Sequence, residues 1–321
     1  MSTTTTPPAS YIAWPSLAWI GALHAGALLA FLPAYFTWPA FVAFLVGYWL
    51  TAGIGICLTY HRLLVHRSFA LRPRWLEYFL TALGCCASEG GPIGWVADHR
   101  LHHAHADDEH DVHSPIRGLA WAHMFWWMTP DSVFYHNPAY YARWAPDLVA
   151  DPVHRWLERT HLLFPLATAI ILYAIGGMPW LVWGFFARSV AVLHSTWLVN
   201  SATHKWGYRS HETRDQSTNL WWVAVLAFGE GWHNNHHAFQ TSARHGNRWW
   251  EIDPTYGTIR LMSWFGLAHK IKLPKATRGP HKGDPGRTSA ALIGVGSESA
   301  ERRASGGSLV EDPDVGLTTP A

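Results

Sequence analysis

Four stretches of this chain run for about twenty residues with at most one charged side chain: 17–37, 39–59, 161–180 and 181–202. A hydrocarbon layer ~30 Å thick gives the backbone no outside hydrogen-bond partner, so such a segment must close its bonds internally as a helix. About 20 residues at 1.5 Å rise is the length that crosses the layer. Only the last stretch carries a charge, Arg188, and a single arginine there faces the bundle interior or snorkels. Charged residues make up 14% of the chain, whereas soluble domains carry about 25%. The pattern predicts an all-α, multi-pass integral membrane protein with four transmembrane helices.

The placement of positive charge sets the expected topology. Nine of the 24 Lys and Arg residues lie between Tyr60 and the third stretch, and fourteen lie from Lys205 onward. The remaining one is Arg188, so the N-terminus and the linkers near 38 and 177–180 hold none. The positive-inside rule then folds the spans into two tight hairpins that open toward the cytoplasm, with both termini there. Residues 75–87 are apolar but too short to cross, which suits an interfacial or re-entrant segment. Met1–Ser10 lacks the basic n-region of a signal peptide, so residues 1–14 read as a disordered tail. Residues 15–273 form one domain, and the Gly/Ser/Pro/Ala-rich 274–321 reads as a disordered C-terminal tail. Three cysteines are too few and too badly spaced for a disulfide framework, and no nucleic-acid motif is present.

Histidine carries the chemistry. His61 and His66 lie in HRLLVH, His99, His102 and His103 in HRLHH, and His233, His236 and His237 in HNNHH. Offsets of three and four place imidazoles on one helix face, and neutral imidazole is a common ligand for iron, copper, zinc and nickel. Eight donors exceed one ion's needs and suit two adjacent ions. His61 and His66 are five apart, about 140° on a regular helix, so either the helix ends between them or they grip the site from two sides. Asn200 and His204 in NSATH add a further i, i+4 pair beside the fourth span, with Asn200 placed to hold a metal-bound water. All these residues fall on the side assigned to the cytoplasm. Glu230, Asp107 and Asp111 are candidates for orienting ligand imidazoles. His105, His110 and His113 read as supporting or merely solvated groups. His24 and His194 read as hydrogen-bonded packing residues, and Trp95 as a wall of a substrate tunnel.

Taken in order around four apolar stretches, HRLLVH, DHRLHH, NSATHKWG and GEGWHNNHH resemble the membrane fatty-acid desaturases, closest to bacterial delta-9 acyl desaturases of the stearoyl type. The likeness covers about residues 15–275. It implies a cytosolic helical cap with a non-haem di-iron centre. The ligands carried over are His61, His66, His99, His102, His103, His204, His233, His236 and His237, with Asn200 through water. The implied activity uses O2 as co-substrate to insert a cis double bond, at delta-9, into a saturated C16 or C18 acyl chain. No HPGG haem motif is present, so the implied electron donor is a separate protein, such as a ferredoxin or a cytochrome b5-like protein with its reductase. Animal acyl-CoA members resemble WARDHRAHH, with a basic residue where this chain has Ala97. Arg100 and Arg117 remain as expected contacts for an anionic head group, and acyl-CoA, acyl-lipid and acyl-carrier-protein substrates all stay open.

Two other classes share some of these features. A fatty-acid hydroxylase, ketolase or alkane monooxygenase of the same superfamily would use similar ligands, though the Asn-x-x-x-His element favours desaturation. A histidine-rich metal transporter would place its ligands near mid-membrane, whereas these sit at span ends.

Overall fold

The computed structural model describes residues 12–129 and 137–274. Apart from 12–14 and 274, the two expected tails lie outside the described residues. Among the described residues, three helical stretches are long and apolar enough to cross a membrane: Trp14–Phe31, Trp38–Val65 and Leu163–His204. Their outer faces expose large apolar side chains, Phe31 at 84% and Ile170 at 69% among them. Water would penalise so continuous a surface, and lipid would not.

Helix α1 (Trp14–Leu28) leads through two short turns to α2 (Trp38–Val65), which the Thr37 side chain caps by accepting from the Ala40 N–H at 3.3 Å. From Trp49 onward α2 is wound with wide i→i+5 turns and runs well past the expected end at 59. The His66 N–H donates to the His61 carbonyl at 3.2 Å, which stacks residues five apart. This resolves the spacing problem of HRLLVH, because the helix runs to Val65 with His66 as its C-cap, and its last turns are wider than those of a regular helix.

The short apolar segment is helix α3 (Arg74–Cys85), laid across α2. The two cross at glycines: a Cβ on Gly55 would sit 2.8 Å from the Gly84 Cα. Helix α4 (Pro92–His105) starts on the Glu158 carboxylate, which accepts from the Ile93 N–H at 2.7 Å and the Gly94 N–H at 3.3 Å. A carboxylate at that end satisfies free N–H groups and complements the helix dipole.

Leu163–His204 is not one rod. The backbone breaks at Gly176 and Gly177, and Gly177 has φ 61° and ψ −152°, a region essentially reserved for glycine. A Cβ on Gly184 would lie 3.1 Å from Leu172 Cδ1, although twelve residues of straight helix would separate the two by about 18 Å. The chain therefore folds back on itself at Gly176–Gly177, within α5 (Leu163–Trp180), and the returning arm continues through wide turns over Leu181–Ala187 into α6 (Arg188–Ser201). Ile20 and Leu23 of α1 pack against Phe185, Leu193 and Trp197 of this returning segment. Arg188 is fully buried and donates to the Cys86 carbonyl at 2.6 Å, so it faces inward.

Beyond α6 the chain forms the short helix α7 (His233–Ala238) and α8 (Pro254–Trp264). A two-residue antiparallel pair joins Ala70–Leu71 to Ala268–His269 and seats the C-terminal segment beside the end of α2. Arg62 locks the same junction from inside, pairing with Glu230 at 3.0 Å and Asp253 at 2.9 Å while fully buried. Removing one partner of such a pair typically costs about 3–5 kcal/mol, because the other charge is left buried and uncompensated.

Candidate metal centre and cavity

The nine histidines singled out by their spacing meet in one place. His61 and His66 come from the end of α2, His99, His102 and His103 from α4, His204 from just beyond α6, and His233, His236 and His237 from α7. They divide into two groups with ligand atoms within 4.8 Å of one another: His61, His66, His99, His103 and His236 in one, and His102, His204, His233 and His237 in the other. The groups adjoin, with the His103 and His237 rings 4.7 Å apart. Helix α4 feeds both, because His99 and His103 turn to one group while His102 turns to the other.

Carboxylates hold several rings by their Nδ1 atoms. His61 meets Glu230 at 2.8 Å, His102 meets Asp111 at 2.9 Å, His204 meets Asp107 at 2.9 Å and His237 meets Asp215 at 2.9 Å. A proton donated from Nδ1 leaves Nε2 with a bare lone pair, and those Nε2 atoms point inward. His61 Nε2 and His236 Nε2 are 3.2 Å apart, His236 Nε2 and His103 Nε2 3.0 Å, and His204 Nε2 and His233 Nε2 3.0 Å. A ring nitrogen carries a proton or a lone pair but not both, so His236 Nε2 cannot satisfy two such neighbours separately. The Nε2 atoms of His66, His102 and His237 are buried without any hydrogen-bond partner. Nitrogens ~2.1 Å from one octahedral ion would lie about 3.0 Å apart along an edge. The donor set thus fits transition-metal cations.

Electrostatics keeps most of these ligands neutral. Burial, reinforced by neighbouring imidazoles, holds His66, His99, His103, His233 and His236 well below the usual histidine range and brings His237 to about 4. His102 differs: burial pushes it down, but Asp111 outweighs burial and raises it. Burial would also raise Asp111 and Glu230, yet the adjacent cations and imidazoles hold both below the ordinary carboxylate range.

Above the two groups lies a cavity of about 400 Å³. His61, His99, His233 and Asn200 line it together with Trp95, Trp126 and Trp197, and so do Trp19, Leu162 and Pro165 from the apolar helices or beside them. Trp95 stacks on the His99 ring at 5.0 Å and donates from Nε1 to Glu89 at 3.0 Å. Glu89 also accepts from the Thr196 hydroxyl at 2.6 Å, so these three side chains link opposite walls.

Arg100 and Arg117 do not line the cavity. The Arg100 guanidinium donates to the carbonyls of Leu64, Val65 and Trp144 and to both oxygens of Asp147, which caps the end of α2. Arg117 lies 3.5 Å over the Trp121 ring. Ala97 is fully buried in the core.

Sequence reasoning named Glu230, Asp107 and Asp111, and the structure sets each against a histidine of the cluster. It missed Asp215, Glu89 and His245, whose Nδ1 lies 2.9 Å from Glu230 beside His61. His113 is buried 3.5 Å from Asp111, while His105 and His110 gather around the exposed Asp108. His24 and His194 bond through their Nε2 atoms at 3.0 Å, as packing residues do.

Long apolar helices, a buried cluster of nine imidazoles suited to metal ions and a largely apolar cavity beside it are the features of a membrane-associated protein that handles an apolar ligand. The fatty acid desaturase family model matches residues 36–260, well over half of the chain. The chain is also 49% identical over 264 residues to the sn-1 stearoyl-lipid 9-desaturase of Anabaena variabilis, covering 82% of this chain and 94% of that protein. The sn-2 palmitoyl-lipid 9-desaturase of Nostoc sp. (strain 36) is 45% identical over 80% of this chain and 90% of its own length. An acyl-CoA C20 Delta5-desaturase of Anemone leveillei is 44% identical over 79% and 80%. The chain belongs to the fatty acid desaturase family, and it is an oxidoreductase.

Proposed function

We propose that this protein is an O2-dependent delta-9 desaturase of saturated C16 or C18 acyl chains carried on membrane lipid. The observation that carries the reading is the convergence of nine imidazoles, three of which (His61, His99 and His233) line a largely apolar cavity that reaches the lipid-facing helices. The names of the Anabaena and Nostoc relatives support position nine and a lipid carrier. The full engagement of Arg100 supports the same carrier, since it leaves that guanidinium no free donor for a phosphate.

In this reading two irons bind the five-histidine and four-histidine groups, with Asn200 completing the smaller set through water. Bound iron supplies the O2 chemistry needed to take hydrogen from unactivated methylenes. The protein's residues do the rest. Glu230, Asp111, Asp107 and Asp215 fix the tautomer and orientation of four ligand rings. The cavity holds a flexible chain still and dry, and the Glu89, Trp95 and Thr196 contacts fix the wall beside His99. The break at Gly177 makes α5 and α6 two spans, which gives four in all, in two hairpins, with the metal centre in a cytosolic cap. Residues 15–273 form the desaturase domain. Electrons come from a separate carrier protein.

Expression in a host lacking delta-9 desaturase, followed by gas-chromatographic double-bond mapping, tests the reading. The expected products are 16:1 and 18:1 lipids with a cis bond at carbon nine, lost together with bound iron in His236→Ala. Hydroxylated acyl chains without new alkenes would sink it in favour of a hydroxylase.

A further inference from the structure

Desaturation as proposed here balances only with outside electrons: –CH2–CH2– + O2 + 2 e⁻ + 2 H⁺ gives –CH=CH– + 2 H2O. One way in for the electrons is a carboxylate that is bonded to a ligand ring and lies near the surface. Of the carboxylates bonded to cluster histidines, the Asp111 side chain is 0% exposed and those of Glu230 and Asp107 are 6%, whereas that of Asp215 is 10%. Asp215 accepts from His237 Nδ1 through Oδ2, while Oδ1 is pinned by the Ser217 N–H at 2.9 Å and the Thr213 hydroxyl at 3.0 Å. The same loop shields the second carboxylate of this group, since the Gln216 N–H donates to Asp107 at 2.5 Å. The four-histidine group therefore lies one side chain beneath the loop 209–216.

That loop is ringed by exposed cations. Arg209 and Arg214 stand on it, Lys205 precedes it, and Arg248 lies over the Tyr208 ring at 5.2 Å. Arg209 closes the loop by donating to the carbonyls of Asp215 at 2.7 Å and Thr213 at 3.1 Å. Glu212 is the one exposed carboxylate among residues 205–216. Trp249, 93% exposed beside Arg248, adds an apolar contact. A few cations around a short route to a redox centre suit a small, transient, charge-steered encounter more than a permanent interface. We infer that this face docks an acidic one-electron carrier protein, which delivers its electron through Asp215 and His237. The inference rests on the desaturase reading.

The test uses the full-length protein in neutral detergent, with a plant-type ferredoxin as the carrier probe and cytochrome b5 in a parallel arm. Two readouts are needed: affinity for the oxidised carrier, measured with and without iron in the protein, and the KM for the reduced carrier in turnover. In Arg214→Glu/Arg248→Glu, affinity falls and KM rises roughly tenfold at low salt, and the salt dependence flattens. Iron content and turnover at saturating carrier stay as in the parent. Charge reversal at Arg155 and Arg159, exposed on the helix Pro152–Thr160, changes neither readout. Unchanged affinity and KM in the first variant, or an equal change in the control, overturns the inference. So does an effect that appears only in anionic lipid vesicles, since the cations would then read headgroups. A parent that binds and oxidises the carrier without forming alkenes would overturn the desaturase reading and leave the docking face standing.

Discussion

Glu89 is a carboxyl held in surroundings that disfavour its charge. It is 4% exposed, and burial pushes its carboxyl up to about 7 against the opposing hydrogen bonds from Thr196 and Trp95. A carboxyl with a raised folded value binds its proton more tightly in the folded state. Its contribution to stability is therefore greatest below about pH 4.5 and falls as pH rises through 7, by roughly 3 kcal/mol in total. In Glu89→Gln the amide oxygen can still accept from Trp95 and the NH2 can donate to Thr196, so the contacts survive and the titration disappears. Thermal unfolding in detergent at pH 5.5 and pH 8 checks this. The parent should lose more stability over that interval than the variant, and equal losses would count against the assignment. At this scale the nine histidines are legible in the sequence because their short spacings recur. Their division into five and four is not, because it depends on which way each ring turns from α4 and α7. Asp215 is not legible either: it stands in a polar loop with no periodicity, and only the fold carries it to His237.

At the scale of elements, apolar length shows where helices lie but not how they are wound or broken. Span length divides this apolar run into two expected crossings that meet at 180/181, whereas the backbone breaks a few residues earlier, at Gly176 and Gly177. Gly177→Val forces a branched side chain into a backbone region that only glycine occupies readily, at a cost of about 1–3 kcal/mol. The expected result is a lower unfolding temperature and a smaller yield of monodisperse protein. Gly21→Ala serves as the control, because a Cβ there meets nothing within 4 Å. A Gly177→Val protein as stable as the parent would mean that the turn does not need the conformation seen here. The wide winding of α2 was illegible for a different reason. Hydrogen-bond register leaves no trace in the apolar pattern of a helix buried on nearly every side, so the five-residue gap between His61 and His66 looks like a defect until the backbone is seen.

At the scale of the whole molecule, the histidine cluster gathers at the ends of the apolar stretches, and charge placement predicts that those ends face the cytoplasm. Cysteine introduced at Ala34, in the exposed link between α1 and α2, should react with an impermeant maleimide from outside intact cells. Cysteine at Gln240, exposed just after α7, should react only after lysis. Background is low, because Cys57 and Cys85 are buried and Cys86 is half-buried. Labelling of both positions from the same side would overturn the four-span arrangement. The wide turns of α2 also bear on how such a site can be altered. Deleting one residue between His61 and His66 would give the four-residue spacing that a protein engineer regards as ideal for aligning two imidazoles. Here that edit would swing one of them away from its partners, since alignment is written into the pitch of the backbone and the spacing merely follows it.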